Sequence, residues 1–190
     1  MSIEILQGNL LDRKADAVIL TVDGAAAGLE GNIARAFGRA YPDAWEELEY
    51  KVQYPIPLGA SKMYSIDPEL ECPFRFVIFA STLHHIETLT DQEKMDVMKT
   101  ALSSSLLLAA SKLLGHISCG LMSGGWRLSK EAALEAMIET YRIYASGRPN
   151  LVDLKIYVLS KKEFKAVGEY LASNHSAAIA TEHGYELRFA

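Results

Sequence analysis

Residues 17–38 read AVILTVD, then GAAA, then GLEGNIARAFG, and this stretch constrains the fold more than any other in the chain. Ala17 to Thr21 is an apolar, β-branched run of strand length that leads to a carboxylate at Asp23. A small-residue loop follows, and two glycines, Gly28 and Gly31, open a segment with Leu29, Ile33, Phe37 and Ala40 at helical spacing. A buried strand that passes through a glycine turn into a helix is the building unit of α/β sheets. The carboxyl end of such a strand gathers free backbone N–H groups and the positive end of a helix dipole, so an anion-binding pocket is expected there.

The unit recurs. Ile117 to Met122 is a strand, Ser123-Gly124-Gly125-Trp126 a second glycine turn, and Ser129 to Ala145 a helix with Glu131 in its first turn. Around these two units strands and helices alternate. Ile3 to Leu6 is a short strand closed by Gly8-Asn9-Leu10; the first helix runs to about Tyr41, where Pro42 interrupts it, and Ala44 to Val52 continues as a second piece. Ala60 to Ile66 and Phe74 to Ser81 read as strands. Thr90 and Glu93 have capping-box spacing at the head of a long helix that runs to about Leu114 and ends at Gly115. Leu154 to Leu159 is a strand and Lys161 to Ala172 a helix; in the tail, 173–190, Tyr185 to Phe189 alternates like an edge strand. This order predicts one α/β domain over residues 1–190, a three-layer α/β/α sandwich with a mixed central sheet. Two glycine turns at strand ends, facing across one crevice, supply two sets of backbone donors, which suits a diphosphate better than a single carboxylate.

Charge and special residues narrow the partners. With a net charge of −5 the chain has no basic field for a nucleic-acid backbone. Glu4 stands where a signal peptide is basic, and no apolar run approaches the roughly 20 residues that span a bilayer, so a cytoplasmic protein without membrane partners is expected. Cys72 and Cys119 have no metal-ligand or disulfide spacing and read as reduced thiols, Cys119 inside a buried strand. The adjacent His84 and His85 cannot chelate one metal together from an extended strand, and His116, His175 and His183 have no ligand spacing to a cysteine or carboxylate. No metal and no cofactor is expected.

The succession of motifs resembles that of macrodomains of the Appr-1-p processing type. The likeness is carried by Gly8-Asn9-Leu10, by Asp16-Ala17-Val18-Ile19 leading to Asp23, and by Gly28-Leu29-Glu30-Gly31-Asn32-Ile33-Ala34-Arg35-Ala36-Phe37-Gly38. It continues through Pro57-Leu58-Gly59, Phe76-Val77-Ile78, the helix from Ser105 to Gly115, and Ser123-Gly124-Gly125-Trp126 before Lys130-Glu131-Ala132-Ala133. The resemblance implies an α/β/α module that binds ADP-ribose or related metabolites; some macrodomains remove ADP-ribose from proteins or deacetylate O-acetyl-ADP-ribose.

The resemblance also assigns residues and shows where this chain departs. Asn9, with Leu10 beside it, stands where an aspartate usually accepts a hydrogen bond from the adenine amino group; an asparagine carbonyl still accepts, without the charge. The paired asparagines that end the second strand in many members fall at Leu20 and Asp23, and Asp23 can accept from ribose hydroxyls but cannot donate. Glu30 replaces the aspartate of a Gly-Val-Asp-Gly turn, and the loop from Gly24 to Ala27 is several residues shorter than that of typical hydrolases. Gly28, Gly31, Ser123, Gly124 and Gly125 would contact the diphosphate, and Trp126 and Asp23 the distal ribose. Each residue has a bland alternative. The glycines permit tight turns, Glu30 complements a helix dipole, Asp23 caps the following turn, and Trp126 covers the core. The expected function is binding of an ADP-ribose type small molecule, with ADP-ribosylated protein as a further partner. A hydrolase that uses Asp23 or Glu30 on water is the alternative, and an interaction module without nucleotide the second alternative.

Overall fold

The structure is a computed structural model and describes residues 2–27, 31–123, 128–146 and 152–189. Its elements follow in the order β1 Ser2–Gln7, β2 Ala15–Asp23, α1 Asn32–Ala40, α2 Pro42–Lys51, β3 Ser61–Ser65, β4 Phe74–Leu83, α3 Asp91–Ser111, β5 His116–Gly120, α4 Lys130–Ala145, β6 Asp153–Val158, α5 Lys161–Asn174, β7 Ile179–Ala180 and β8 Gly184–Arg188. Among the described residues eight strands form one mixed sheet in the order β3-β4-β2-β5-β6-β1-β8-β7. The five central strands β4, β2, β5, β6 and β1 are parallel, so their carboxyl ends share one edge. β3 and β8 pair antiparallel to β4 and β1. β8 has β1 on its inner side and the two-residue β7 on its outer side, and its register sets Ser2 opposite Arg188.

The sheet is buried on both faces where its residues are apolar on both parities. Ala17, Ile19, Ile117, Cys119, Leu154 and Ile156 point to one face, under α3, α4 and α5. Val18, Leu20, Val22, Val77 and Phe79 point to the other, under α1 and α2. On that second side Phe37, Tyr41, Trp45, Phe74 and Phe79 meet ring to ring at centroid separations of 5.2–6.3 Å. The face of β1, β6 and β8 beyond α1 and α2 reads Glu4, Lys155 and Glu186, and it borders a cavity of about 1030 Å³ that also takes in Arg13, Tyr157 and His183.

Three local expectations changed on folding. The buried stripe of α1 is Ala34 and Phe37, with Ala40 exposed, because the helix turns its Phe37 side to β2. Pro42 does not merely interrupt this helix: it is the first residue of α2, where a missing N–H costs nothing. α3 begins as expected, with Thr90 Oγ1 accepting from the Glu93 N–H and Glu93 Oε2 accepting from the Thr90 N–H, but it stops at Ser111. Leu113 takes the left-handed conformation (φ 55°), Leu114 N–H bonds Ala109 O and Leu113 N–H bonds Ala110 O, so a leucine fills the capping place that glycine usually occupies. Gly115 instead donates its N–H to Asp16 Oδ2 at 2.8 Å and leads into β5.

Candidate functional site

β2 and β5 are neighbours in the sheet, yet the helices that follow them go to opposite faces, α1 to the Phe37 side and α4 to the side of Leu134 and Met137. A parallel sheet opens a crevice at such a switch point, outside the carboxyl ends of its strands. Along this edge the candidate residues stand in strand order: Asn9 after β1, Ser123 after β5, Asp23 at the end of β2, and His85 after β4. Gly28, Glu30, Gly124, Gly125 and Trp126 lie outside the described residues.

At the β1 end, Gly8 has φ +146°, a conformation open to glycine, and turns the chain outward. Asn9 is exposed and caps the short 3-10 turn Leu10–Asp12: its Oδ1 accepts from Leu11 N–H at 3.2 Å and its Nδ2 donates to Asp12 Oδ1 at 2.9 Å. The amide therefore keeps one acceptor lone pair for another donor. Leu10 puts its side chain in the core beside Val18 and has only its main chain left for a ligand.

In the middle, Gly31 is the N-cap of α1, and a Cβ there would lie 2.6 Å from Thr21 O; close packing of helix on strand accounts for this glycine. Ser123 is 2% exposed and its N–H is bonded to Leu121 O. Its Oγ accepts from Lys130 Nζ at 3.0 Å, and the same ammonium pairs with Glu163 at 3.2 Å, which ties the second turn to α4 and α5.

At the β2 end the strand bulges between Val22 and Asp23, which re-aims the carboxylate. Asp23 is 5% exposed, and a buried carboxylate must find donors. Oδ1 accepts from Ala25 N–H at 3.0 Å, so Asp23 does cap the following turn; Oδ2 accepts from the His85 N–H at 3.0 Å and lies 3.1 Å from His85 Nδ1. Gly24 packs so tightly that a Cβ would lie 2.1 Å from Ser81 Oγ and 2.3 Å from Ile56 O. His84 goes elsewhere, with Nε2 2.9 Å from Ile56 O. Sequence patterns alone do not mark His85 or Lys130 as site residues. The signal that finds His85 is its place just past the carboxyl end of a parallel strand.

The other candidates are inert by environment. Burial pushes the Cys119 thiol well above its ordinary value and raises that of Cys72, so neither is a ready thiolate. Among the described residues no cluster of three histidine, cysteine or carboxylate side chains is placed to hold a metal, and no helix is long and apolar enough to cross a membrane.

The three-layer α/β/α arrangement, with a topological switch between β2 and β5, defines the fold class. The chain has the macrodomain fold. The Oceanobacillus iheyensis macrodomain with ADP superposes with a TM-score of 0.74 at 18% identity, over 90% of each chain. The Thermus aquaticus DarG macrodomain gives 0.61 at 19% identity over 82% of this chain and 97% of that one. The macrodomain of ganglioside induced differentiation associated protein 2 gives 0.71 at 12% identity, over 89% and 82%. No protein-family model and no curated protein sequence matches the chain.

Proposed function

We propose that the crevice binds ADP-ribose or a closely related nucleoside-diphosphate ribose. The observation that carries this reading is the row of Asn9, Ser123 and Asp23 along the carboxyl edge, which covers three strand spacings, about 14 Å. That length fits a ligand with a base at one end, a sugar at the other and a diphosphate between. Asn9 takes the adenine amino group through its remaining acceptor site. The main chain around Gly28, Gly31, Gly124 and Gly125 takes the diphosphate, and Asp23 and Trp126 border the distal ribose. Supporting it, the Oceanobacillus iheyensis macrodomain of the same fold holds ADP, and a point mutant of it holds ADPR. On this reading ADP-ribosylated protein is a second class of partner, recognised through the same nucleotide.

Calorimetric titration with ADP-ribose tests the reading. Heat of binding is expected, together with a rise in Tm that grows with ligand concentration, because a ligand specific for the native state stabilises it. Gly124→Val should abolish the heat by filling the approach to the diphosphate while the Tm of the free protein is kept. Neither heat nor stabilisation at millimolar ADP-ribose would overturn the assignment.

A further inference from the structure

We propose that the cavity on the open face of β1, β6 and β8 is a second anion site, and that its ligand is a small organic phosphate held by the Tyr157 hydroxyl and the side chains of Arg13, Lys14 and Lys161. The site is separate from the crevice and independent of the ADP-ribose reading. Asn9, Ser123 and Asp23 do not line it, and it extends from β1 towards β8 whereas the crevice row runs from β1 towards β2.

Strand register builds the floor. Leu6 of β1 stands opposite Tyr157 of β6 and Gly184 of β8, two residues on from the row of Lys155, Glu4 and Glu186. Residues two apart share a face of a strand, so both rows look to the side that α1 and α2 leave open. The walls come from three other places in the chain. The segment after β1 supplies Arg13 and Lys14, and a Cβ at Gly8 would lie 3.9 Å from Arg13 Nη2, so the guanidinium reaches back to the end of β1. The β7–β8 turn is closed by Thr181 N–H on Gly184 O at 2.8 Å and Gly184 N–H on Thr181 Oγ1 at 3.1 Å. Lys161 comes from the first turn of α5. The volume of about 1030 Å³ is at the upper end of the range of small-molecule pockets.

The Tyr157 hydroxyl is the group that points to a ligand. Tyr157 is 7% exposed and its ring belongs to the core with Val18 and Leu20, yet its hydroxyl has no hydrogen-bond partner among the described residues. A buried tyrosine hydroxyl usually finds one. The charges that reach it are those of Arg13 and Glu4, both at the cavity, and burial keeps the phenol above its ordinary value although Arg13 pulls the other way. At neutral pH the group is therefore an O–H donor without an acceptor.

The surrounding charge makes that acceptor an anion. Of the carboxylates at the cavity, Glu4 is paired with Lys155 at 3.5 Å and Glu186 with Arg188 at 3.0 Å, which leaves Glu182. Against it stand Arg13, Lys14 and Lys161, none with an ion pair among the described residues. Lys161 also opposes its own helix, since a cation in the first turn meets the positive end of the dipole; a bound anion removes that conflict. A guanidinium fork, ammonium groups and a phenol are all donors, and together they match the several terminal oxygens of a phosphate better than the two of a carboxylate. Leu6, Phe164 and the Tyr157 ring offer apolar surface, so the phosphate carries an organic body.

Phenyl phosphate titrated into the ¹⁵N-labelled full chain and followed by amide NMR tests the site, with inorganic phosphate and ADP-ribose in parallel. Saturable shifts are expected at Arg13, Lys14, Lys161 and Thr181 to Gly184, with a Kd of about 1 mM for a ligand of this size. Inorganic phosphate should bind at least about fivefold more weakly, because it leaves the apolar surface uncovered. Tyr157→Phe should weaken phenyl phosphate about fivefold and Arg13→Gln about tenfold. Both variants should keep the wild-type Tm, since neither group bonds to the rest of the fold, and should bind ADP-ribose within about threefold of wild type in calorimetry. Wild-type affinity for phenyl phosphate in either variant, equal binding of inorganic phosphate, shifts confined to the crevice, or displacement of phenyl phosphate by ADP-ribose would each overturn the proposal.

Discussion

The two ends of the crevice are built in opposite ways. At the β1 end Asn9 is exposed, and its hydrogen bonds reach only two and three residues along the chain, to Leu11 and Asp12. At the β2 end Asp23 is buried, and its chief partner, His85, is 62 residues away. A local, solvated cap costs little to change. A buried carboxylate shared with a distant strand is fixed by the packing around it, because unpairing it leaves buried donors unmet. The first end is held by its own turn and the second by the packing of β2 against β4.

The contrast can be broken most severely at Gly24. Gly24→Ala forces a Cβ onto Ile56 O and Ser81 Oγ, and should cost about 3 kcal/mol, a fall in Tm of roughly 6–12 °C by differential scanning calorimetry. Asp23→Ala comes next: it strands the Ala25 and His85 N–H groups and should cost about 2 kcal/mol in a urea titration. Asn9→Ala removes only a turn cap and should cost about 1 kcal/mol by the same measurement.

The β1 end can be sharpened rather than broken, as a test of the proposed adenine contact. Asn9→Asp alone sets two carboxylates against each other, since Asn9 Nδ2 now donates to Asp12. With Asp12→Asn added, the cap is rebuilt with its charge on residue 9, and ADP-ribose should bind about fivefold tighter in calorimetry. The smallest effect is a control remote from both ends. Burial raises the Glu135 carboxyl, but hydrogen bonds from Tyr170 and His175 and the charges of His175 and Arg142 outweigh it and leave the group below its usual 4.5. A depressed carboxyl gives stability that is present above the usual value and is lost as pH falls through the lower folded one. Glu135→Gln should therefore melt within about 2 °C of wild type at pH 3 and differ more at pH 6, with the crevice unaffected.

What could be read from the sequence divides along the same line. Features written within one turn or one strand were legible: the Thr90–Glu93 capping box, the apolar runs of β2 and β4, and the alternation of Tyr185 to Phe189 that became β8. The order of those elements carried the three-layer architecture. The end of α3 departs from the glycine rule because Leu113 takes the left-handed backbone conformation that the rule reserves for Gly115. The partnership of Asp23 with His85 was not legible, since it depends on which strand lies beside β2 and on a bulge at its last residue. No periodicity encodes either. Lys130 was hidden for the same reason, as its bond to Ser123 Oγ exists only once α4 has folded back over β5.

The pairing of Ser2 with Arg188 has a practical meaning of its own. β1 points its carboxyl end at the crevice and β8 runs back against it, so both ends of the described chain emerge side by side at the opposite pole of the sheet. Any polypeptide joined at either end leaves the domain where it cannot shade the crevice. The domain can thus be tethered, immobilised or inserted between other modules through one narrow base, with its open edge facing whatever approaches from outside.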